Sequence, residues 1–468
     1  MSSQMRLIYL LSGPLAFTAC YLLIPYDIFG GAKANAAVGT VCWMSLWWLL
    51  GPVDLAVTAF IPIVLNAFFE MMNMTTLLSN YSSETIILLL GASILTVSWE
   101  ETGLDKRIAA RLLSLVGANL RIQIILWFLI SAILSAVLPN AVVCASIIPI
   151  AIAMLKYTGI EDISKSFKAS LILIAIVYAA GVGGLATPLG GAMNLVTVNY
   201  IEKLTGHEFM YIDWVIKMLP IMLILLISNI LFMLLCCKKN ENLGQSREFF
   251  LAEYKKFAHI SLEEMTVLML FIAATLLSFT RQFYAHWLPG LKPAYVFILC
   301  AILSFLVTHK GGARLMLWKN TQKKIVWELI YVFAGGLAAG ALINDTGVAK
   351  AIGEHVASLN ATGGFITVFT ILLLTILMSD ITSNTATAAV AVPIVIAVIQ
   401  GMNLDPLPYI FITSVGFNLS YMLPTSIRAI PVGYGLSPKV LLKLGFPLTI
   451  LMLGLLSAVC YFLLDCWL

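Results

Sequence analysis

LLLGASILTVSWEETGLDKRIA, residues 88–109, returns as YVFAGGLAAGALINDTGVAKAIG, residues 331–353. Gly91 matches Gly335, Glu101-Thr102-Gly103 matches Asp345-Thr346-Gly347 and Lys106 matches Lys350, all at an offset of 244. The register holds beyond this stretch, because Asn140 matches Asn384 and Pro149 matches Pro393. Shared apolar composition does not keep one offset over such a distance, so the chain contains an internal repeat.

Composition says what the repeat is built from. Of 468 residues, 61% are hydrophobic and 11% charged, with a mean hydropathy of +0.99. Soluble domains are about half apolar and a quarter charged, so this is an integral membrane protein. Long apolar segments at 5–25, 34–51, 53–71, 84–100, 166–201, 214–237, 263–280, 293–308, 326–344, 407–435 and 440–464 predict eleven transmembrane helices. The first of these is a span and not a signal peptide, since no small-residue cleavage site precedes Pro25.

Two further stretches, 122–155 and 362–400, are too long for one crossing, and polar tips divide them: Leu138-Pro139-Asn140-Ala141 and Thr382-Ser383-Asn384-Thr385. Re-entrant hairpins fit that pattern, and two thin full spans would leave the sidedness of everything downstream unchanged. Five spans separate equivalent points of the two copies, an odd number, so the halves lie upside down relative to each other. The expected organisation is a first helix over 1–33, repeat 1 over 34–237, a cytoplasmic linker over 238–262 and repeat 2 over 263–468. A cytoplasmic N-terminus puts 20 Lys/Arg inside and six at or near the outer face, with the C-terminus outside. The net charge of +4 is too mild to suggest a nucleic-acid partner.

Inverted repeats whose broken helices meet at mid-membrane are an architecture of secondary transporters. Here the breaks fall in YAAGVGGLATPLGGAMNLVTV (178–198) and NLSYMLPTSIRAIPVGYG (418–435), where Gly and Pro cannot sustain a regular helix. Asn140 and Asn384 occupy equivalent tips. Their amides can grip a carboxylate, ligate a cation or cap the half-helices that follow, whose positive ends also suit an anion. Arg428 lies within an apolar span, a costly place for a charge, and its planar fork suits a carboxylate. An ion pair with Asp380 or snorkelling to the interface are the alternatives. Asp380 itself could be that partner, a proton carrier or a solvated residue. No GxxxxGK[ST], HExxH or GxSxG motif is present, and eight scattered cysteines make no zinc or disulfide framework. Neither enzyme chemistry nor a cofactor is expected.

At these residues the chain resembles the divalent anion/sodium symporter family. The likeness covers nearly the whole sequence and implies a homodimer, with a scaffold domain and a transport domain that moves as an elevator. The family's tip motif, Ser-Asn-Thr, is matched in full by Ser383-Asn384-Thr385. The inward tip departs from it, reading Pro139-Asn140-Ala141 without hydroxyls. Thr187-Pro188-Leu189-Gly190-Gly191 lacks the tandem prolines of the family's first loop, and Ile427-Arg428 stands about where the second would have Thr-Pro. The resemblance implies a substrate site at Asn140, Ala141, Gly190, Gly191, Ser383, Asn384, Thr385, Thr425, Ser426, Ile427 and Arg428. In a symporter, sodium would bind at Asn140, Gly190, Ser383 and Asn384. An immobile, unbalanced arginine in an empty site would obstruct crossing until an anion bound. The expectation is therefore the family's exchanger branch, swapping dianionic dicarboxylates such as succinate, malate, fumarate or 2-oxoglutarate without sodium. A sodium- or proton-coupled di- or tricarboxylate, or sulfate, symporter is the alternative. Besides these substrates the expected partners are membrane lipid and a second copy of the chain in the cell membrane.

Overall fold

Inside a bilayer every backbone N–H and C=O has to find its partner within the protein, and consecutive apolar residues do so as helices. The computed structural model describes residues 3–113, 119–238, 241–244, 246–255, 259–308, 312–357 and 363–467. Its main helices in chain order are α1 (Ser3–Leu23), α2 (Ala32–Leu50), α3 (Glu84–Thr102), α4 (Leu120–Ser135), α5 (Asn140–Tyr157), α6 (Phe167–Gly183), α7 (Ala192–Thr205) and α8 (Tyr211–Cys236). They continue as α9 (Ser246–Lys255), α10 (Leu262–Phe279), α11 (Pro293–Ser304), α12 (Trp327–Asp345), α13 (Phe365–Ile381), α14 (Asn384–Gly401), α15 (Leu407–Phe417) and α16 (Pro438–Leu463).

Among the described residues, nine helices are long and apolar enough to cross a bilayer. Seven coincide with expected spans, and the other two are α5 and α14, the second arms of the interrupted stretches. The expected continuous span at 53–71 is two pieces, Leu55–Thr58 and Ile61–Phe69. Pro62, in the first turn of the second piece, has no N–H with which to extend the ladder back into the first. Segment 293–308 holds only the 12-residue α11. The predicted linker contains α9, which docks beneath the first interrupted stretch. There Phe250 is fully buried against Trp127, and Gln123 donates to the Ser246 hydroxyl at 2.6 Å. Lys239, Lys256 and Lys310, counted above among the inside basic residues, lie outside the described residues.

Burial sorts the helices by position. Every residue of α6 from Ala169 to Gly183 is buried, as befits a helix apolar on all sides that packs against α4, α5 and α8. In contrast, α8 buries Trp214, Met218, Ile221 and Leu225 while exposing Ile216, Leu223, Ile227, Leu231 and Leu235. That helically spaced stripe faces away from the protein core.

The repeated glycines have a packing reason. A Cβ on Gly91 of α3 would stand 2.8 Å from the Ile298 nitrogen of α11, and one on Gly335 of α12 would stand 2.6 Å from the Ala59 carbonyl. Both copies therefore use this position to let two backbones touch, the means by which membrane helices gain van der Waals contact where apolar burial adds little. Ion pairs close the ends of the bundle. Lys292 meets Glu84 at the start of α3 at 2.8 Å, and that hydrogen bond raises the pKa of Lys292. At the other end of α3, Lys324 meets Glu101 at 2.8 Å.

Candidate functional site

Both interrupted stretches are two helices meeting at a short tip: α4 and α5 across Ala136–Pro139, and α13 and α14 across Thr382–Ser383. The tips differ in how they start the second helix. Ser383 caps α14 by accepting the Ala386 N–H at 3.1 Å. Pro139 precedes α5 with φ −53° and no side-chain cap, so the missing hydroxyl is replaced by a rigid ring whose φ already suits a helix start.

The broken segments are just as regular in their irregularity. In repeat 1, α6 ends in the short 3-10 turns Gly184–Ala186 and Pro188–Gly190 before α7 begins. In repeat 2, α15 ends at Phe417 and a 3-10 turn, Ser426–Arg428, follows the break. Ser426 sits there at φ +51°, a left-handed conformation that a non-glycine residue adopts only when its surroundings enforce it.

The same hydrogen bonds tie each loop to its tip. Thr187 donates to the Ala136 carbonyl at 2.6 Å, and Thr425 donates to the Asp380 carbonyl at 2.8 Å. Ser135 donates to the Ala180 carbonyl, and Ser379 to the Phe417 carbonyl. Ser135 and Ser379, like Ala136 and Asp380, stand 244 residues apart, the repeat offset, while Thr187 and Thr425 stand 238 apart. The loops also touch each other through Asn418, which donates to Asn194 at 3.1 Å, and through the Thr197 and Ser414 hydroxyls at 2.7 Å.

Between tips and loops lies a cavity of about 550 Å³, lined by Asn140, Ala141, Ser383, Asn384, Thr385, Ser426 and Ile427 and extending to Trp327-Glu328-Leu329 at the start of α12. Seven of the eleven residues expected from the sequence thus share one wall. The Asn384 carbonyl accepts from the Ser420 hydroxyl at 3.1 Å, beside Ser379, whose single proton goes to the Phe417 carbonyl; this holds the Asn384 carbonyl and leaves its NH₂ for the cavity. The first N–H groups of α5 and α14 have no partner one turn back, so both helices present positive ends beside the asparagines.

Four expected residues stand behind that wall. Gly190 has no room for a side chain, because a Cβ there would collide with the Gly184 and Ser135 carbonyls. Gly191 and Thr425 support the loops without lining the cavity. Arg428 is buried, and its guanidinium donates to the carbonyls of Leu423 and Ser420 and to the Thr425 hydroxyl, each at 2.8 Å. Asp380, fully buried, accepts from Met422 N–H at 2.9 Å and Leu423 N–H at 3.4 Å. Of the expected sodium ligands, Asn140, Ser383 and Asn384 reach the cavity and Gly190 does not. Among the described residues no lysine or arginine lines it, and the one ionisable wall residue is Glu328. Met193 and the α12 start are wall residues that no sequence signal marked, whereas Ser135 and Ser379, five residues before each asparagine, could have been found from the repeat offset.

Two repeat-related halves, each contributing a helix-starting tip and residues of a broken helix to one cavity, define a multi-pass membrane transporter and not an enzyme. Residues 45–416 match the family described as CitMHS, citrate transporter; the chain belongs to that family. It is 28% identical to the sodium-dependent dicarboxylate transporter SdcS of Staphylococcus saprophyticus over 478 residues, covering 98% of this chain and 91% of the relative. SdcS of Staphylococcus aureus strain COL is also 28% identical, with the same coverage of 98% and 91%. The crystal structure of the Alcanivorax borkumensis YdaH transporter aligns with a TM-score of 0.56 at 11% identity, over 84% of this chain and 87% of that one. That last likeness is one of fold alone. The kinship with divalent anion/sodium symporters read from the sequence stands.

Proposed function

We propose that the protein carries dicarboxylate dianions across the cell membrane as a secondary transporter. The observation that carries this reading is the pairing of Asn140 and Asn384, each at the start of a helix, on the wall of one cavity. Two amides and two positive helix ends suit a ligand with a carboxylate at each end. The names of the 28% identical relatives support the same substrate class.

Coupling follows from charge. A dianion entering a cavity that has no Lys or Arg among its described wall residues needs another source of neutralisation, and a co-transported cation supplies it. This favours sodium-coupled symport, in keeping with relatives named sodium-dependent. Sodium-independent exchange is the second reading, favoured by the hydroxyl-free tip Pro139-Asn140-Ala141. Arg428 lends no support to exchange, because it faces its own loop with Asp380 buried nearby. Labelled succinate uptake into proteoliposomes separates the readings. Net uptake into empty vesicles driven by an inward sodium gradient is expected; uptake confined to dicarboxylate-preloaded vesicles and indifferent to sodium means exchange.

The cytoplasmic N-terminus, the re-entrant course of both interrupted stretches, the homodimer and the elevator motion belong to the same proposal. The side bias of Lys and Arg supports the first, and the family resemblance the others.

A further inference from the structure

At the offsets that relate their anchors, the two repeats differ in charge. Where repeat 2 has Asp380, repeat 1 has Ala136, at the 244 offset of the tips; where repeat 2 has Arg428, repeat 1 has Gly190, at the 238 offset of the loop threonines. Both charges are present in one copy and both are absent from the other. The loop of repeat 1 is held by a neutral group, the Asn194 amide, which donates to the Gly184 and Thr187 carbonyls at 2.7 and 2.9 Å. The loop of repeat 2 is held from both sides by opposite charges: the Asp380 carboxylate takes the N–H groups of Met422 and Leu423, and the Arg428 guanidinium takes the carbonyls of Ser420 and Leu423.

We infer that Asp380 and Arg428 form a charge-neutral clasp that positions the second broken loop, and that neither charge meets the substrate. Arg428 is 2% exposed, Asp380 0%, and neither lines the cavity. They make no direct ion pair among the described residues; the loop backbone lies between them and is gripped by both. What the clasp presents to the cavity is Ser426 and Ile427, the former in its left-handed conformation. A buried charge left without its opposite is strongly destabilising, whereas a pair replaced together by neutral groups costs little. The clasp is therefore dispensable as a unit and not in halves.

The test uses the full chain as Asp380→Asn, Arg428→Gln and the double variant, measuring labelled succinate uptake, the amount of protein in the membrane and the thermal midpoint in detergent. Each single change is expected to cost at least about tenfold in uptake and to lower the midpoint. The double variant is expected to regain both, with KM within about threefold of the parent. A double variant that is present in the membrane and melts normally but is as inactive as Arg428→Gln would overturn the inference, because the arginine charge would then serve the anion. So would a single change without effect. Should the parent carry no succinate, the substrate assignment fails by itself. The thermal midpoint then decides the clasp: recovery in the double supports it, and no recovery ends it.

Discussion

Asn384 combines the two demands on a binding residue. Its carbonyl is fixed by the buried Ser420 hydroxyl, so its NH₂ is aimed before a ligand arrives, which saves the cost of ordering it on binding. Removing a donor to a charged group costs about 1.5–3 kcal/mol, roughly ten- to a hundredfold. Asn384→Ala should therefore raise the KM for succinate by at least about tenfold, and Asn140→Ala should act likewise, both measured as initial uptake rates against concentration. Glu328 works in the other direction: its carboxylate is the one ionisable group among the described wall residues and repels a dianion. Glu328→Gln should lower the KM a few-fold, an effect that shrinks as ionic strength rises in the compartment the cavity faces. A KM insensitive to this change would remove Glu328 from the approach path.

Among the elements, the loop anchors carry the mechanics. Thr187 and Thr425 tie each broken helix to its tip through one hydroxyl bond apiece, so tip and loop form one hydrogen-bonded unit. Thr187→Val and Thr425→Val keep the shape and remove the tie, at about 1 kcal/mol each. The expected result is a maximal rate lowered several-fold with KM changed less, read from the same uptake curves. Gly190→Ala should be harsher, because the added methyl meets the backbone carbonyls of Gly184 and Ser135, which cannot swing aside. The amount of Gly190→Ala in the membrane should fall along with uptake. The glycine breaks and prolines of these segments were plain in the sequence. That Arg428 closes its own loop was not, because a buried guanidinium reads the same whether its partners are an anion or three oxygens of the local backbone and side chains.

For the whole molecule, the ion pairs sort onto two ends of the bundle. Lys292–Glu84 and Arg281–Glu208 belong to one end, and Lys324–Glu101 and Arg107–Glu264 to the other. The charge bias assigns the first end to the outside. In a cysteine-free background, His207→Cys should react with a membrane-impermeant maleimide from outside, and Ala252→Cys only after the membrane is opened. Both labelling from one side would contradict a single crossing of the membrane by α8. The apolar stripe of α8 and its exposed neighbours need lipid or a second copy against them.

Period and composition alone read the membrane class, the two copies and the places where helices break, because these depend on what each residue avoids: water for the apolar runs, helix for Gly and Pro. Which residues face the cavity depended on the directions in which side chains leave an irregular backbone, and no periodicity governs those once a helix breaks. Ser426 and Arg428 are two positions apart in sequence, yet one lines the cavity and the other is buried behind it. Only the folded loop, with Asp380 brought from a different helix to its far side, decided which was which.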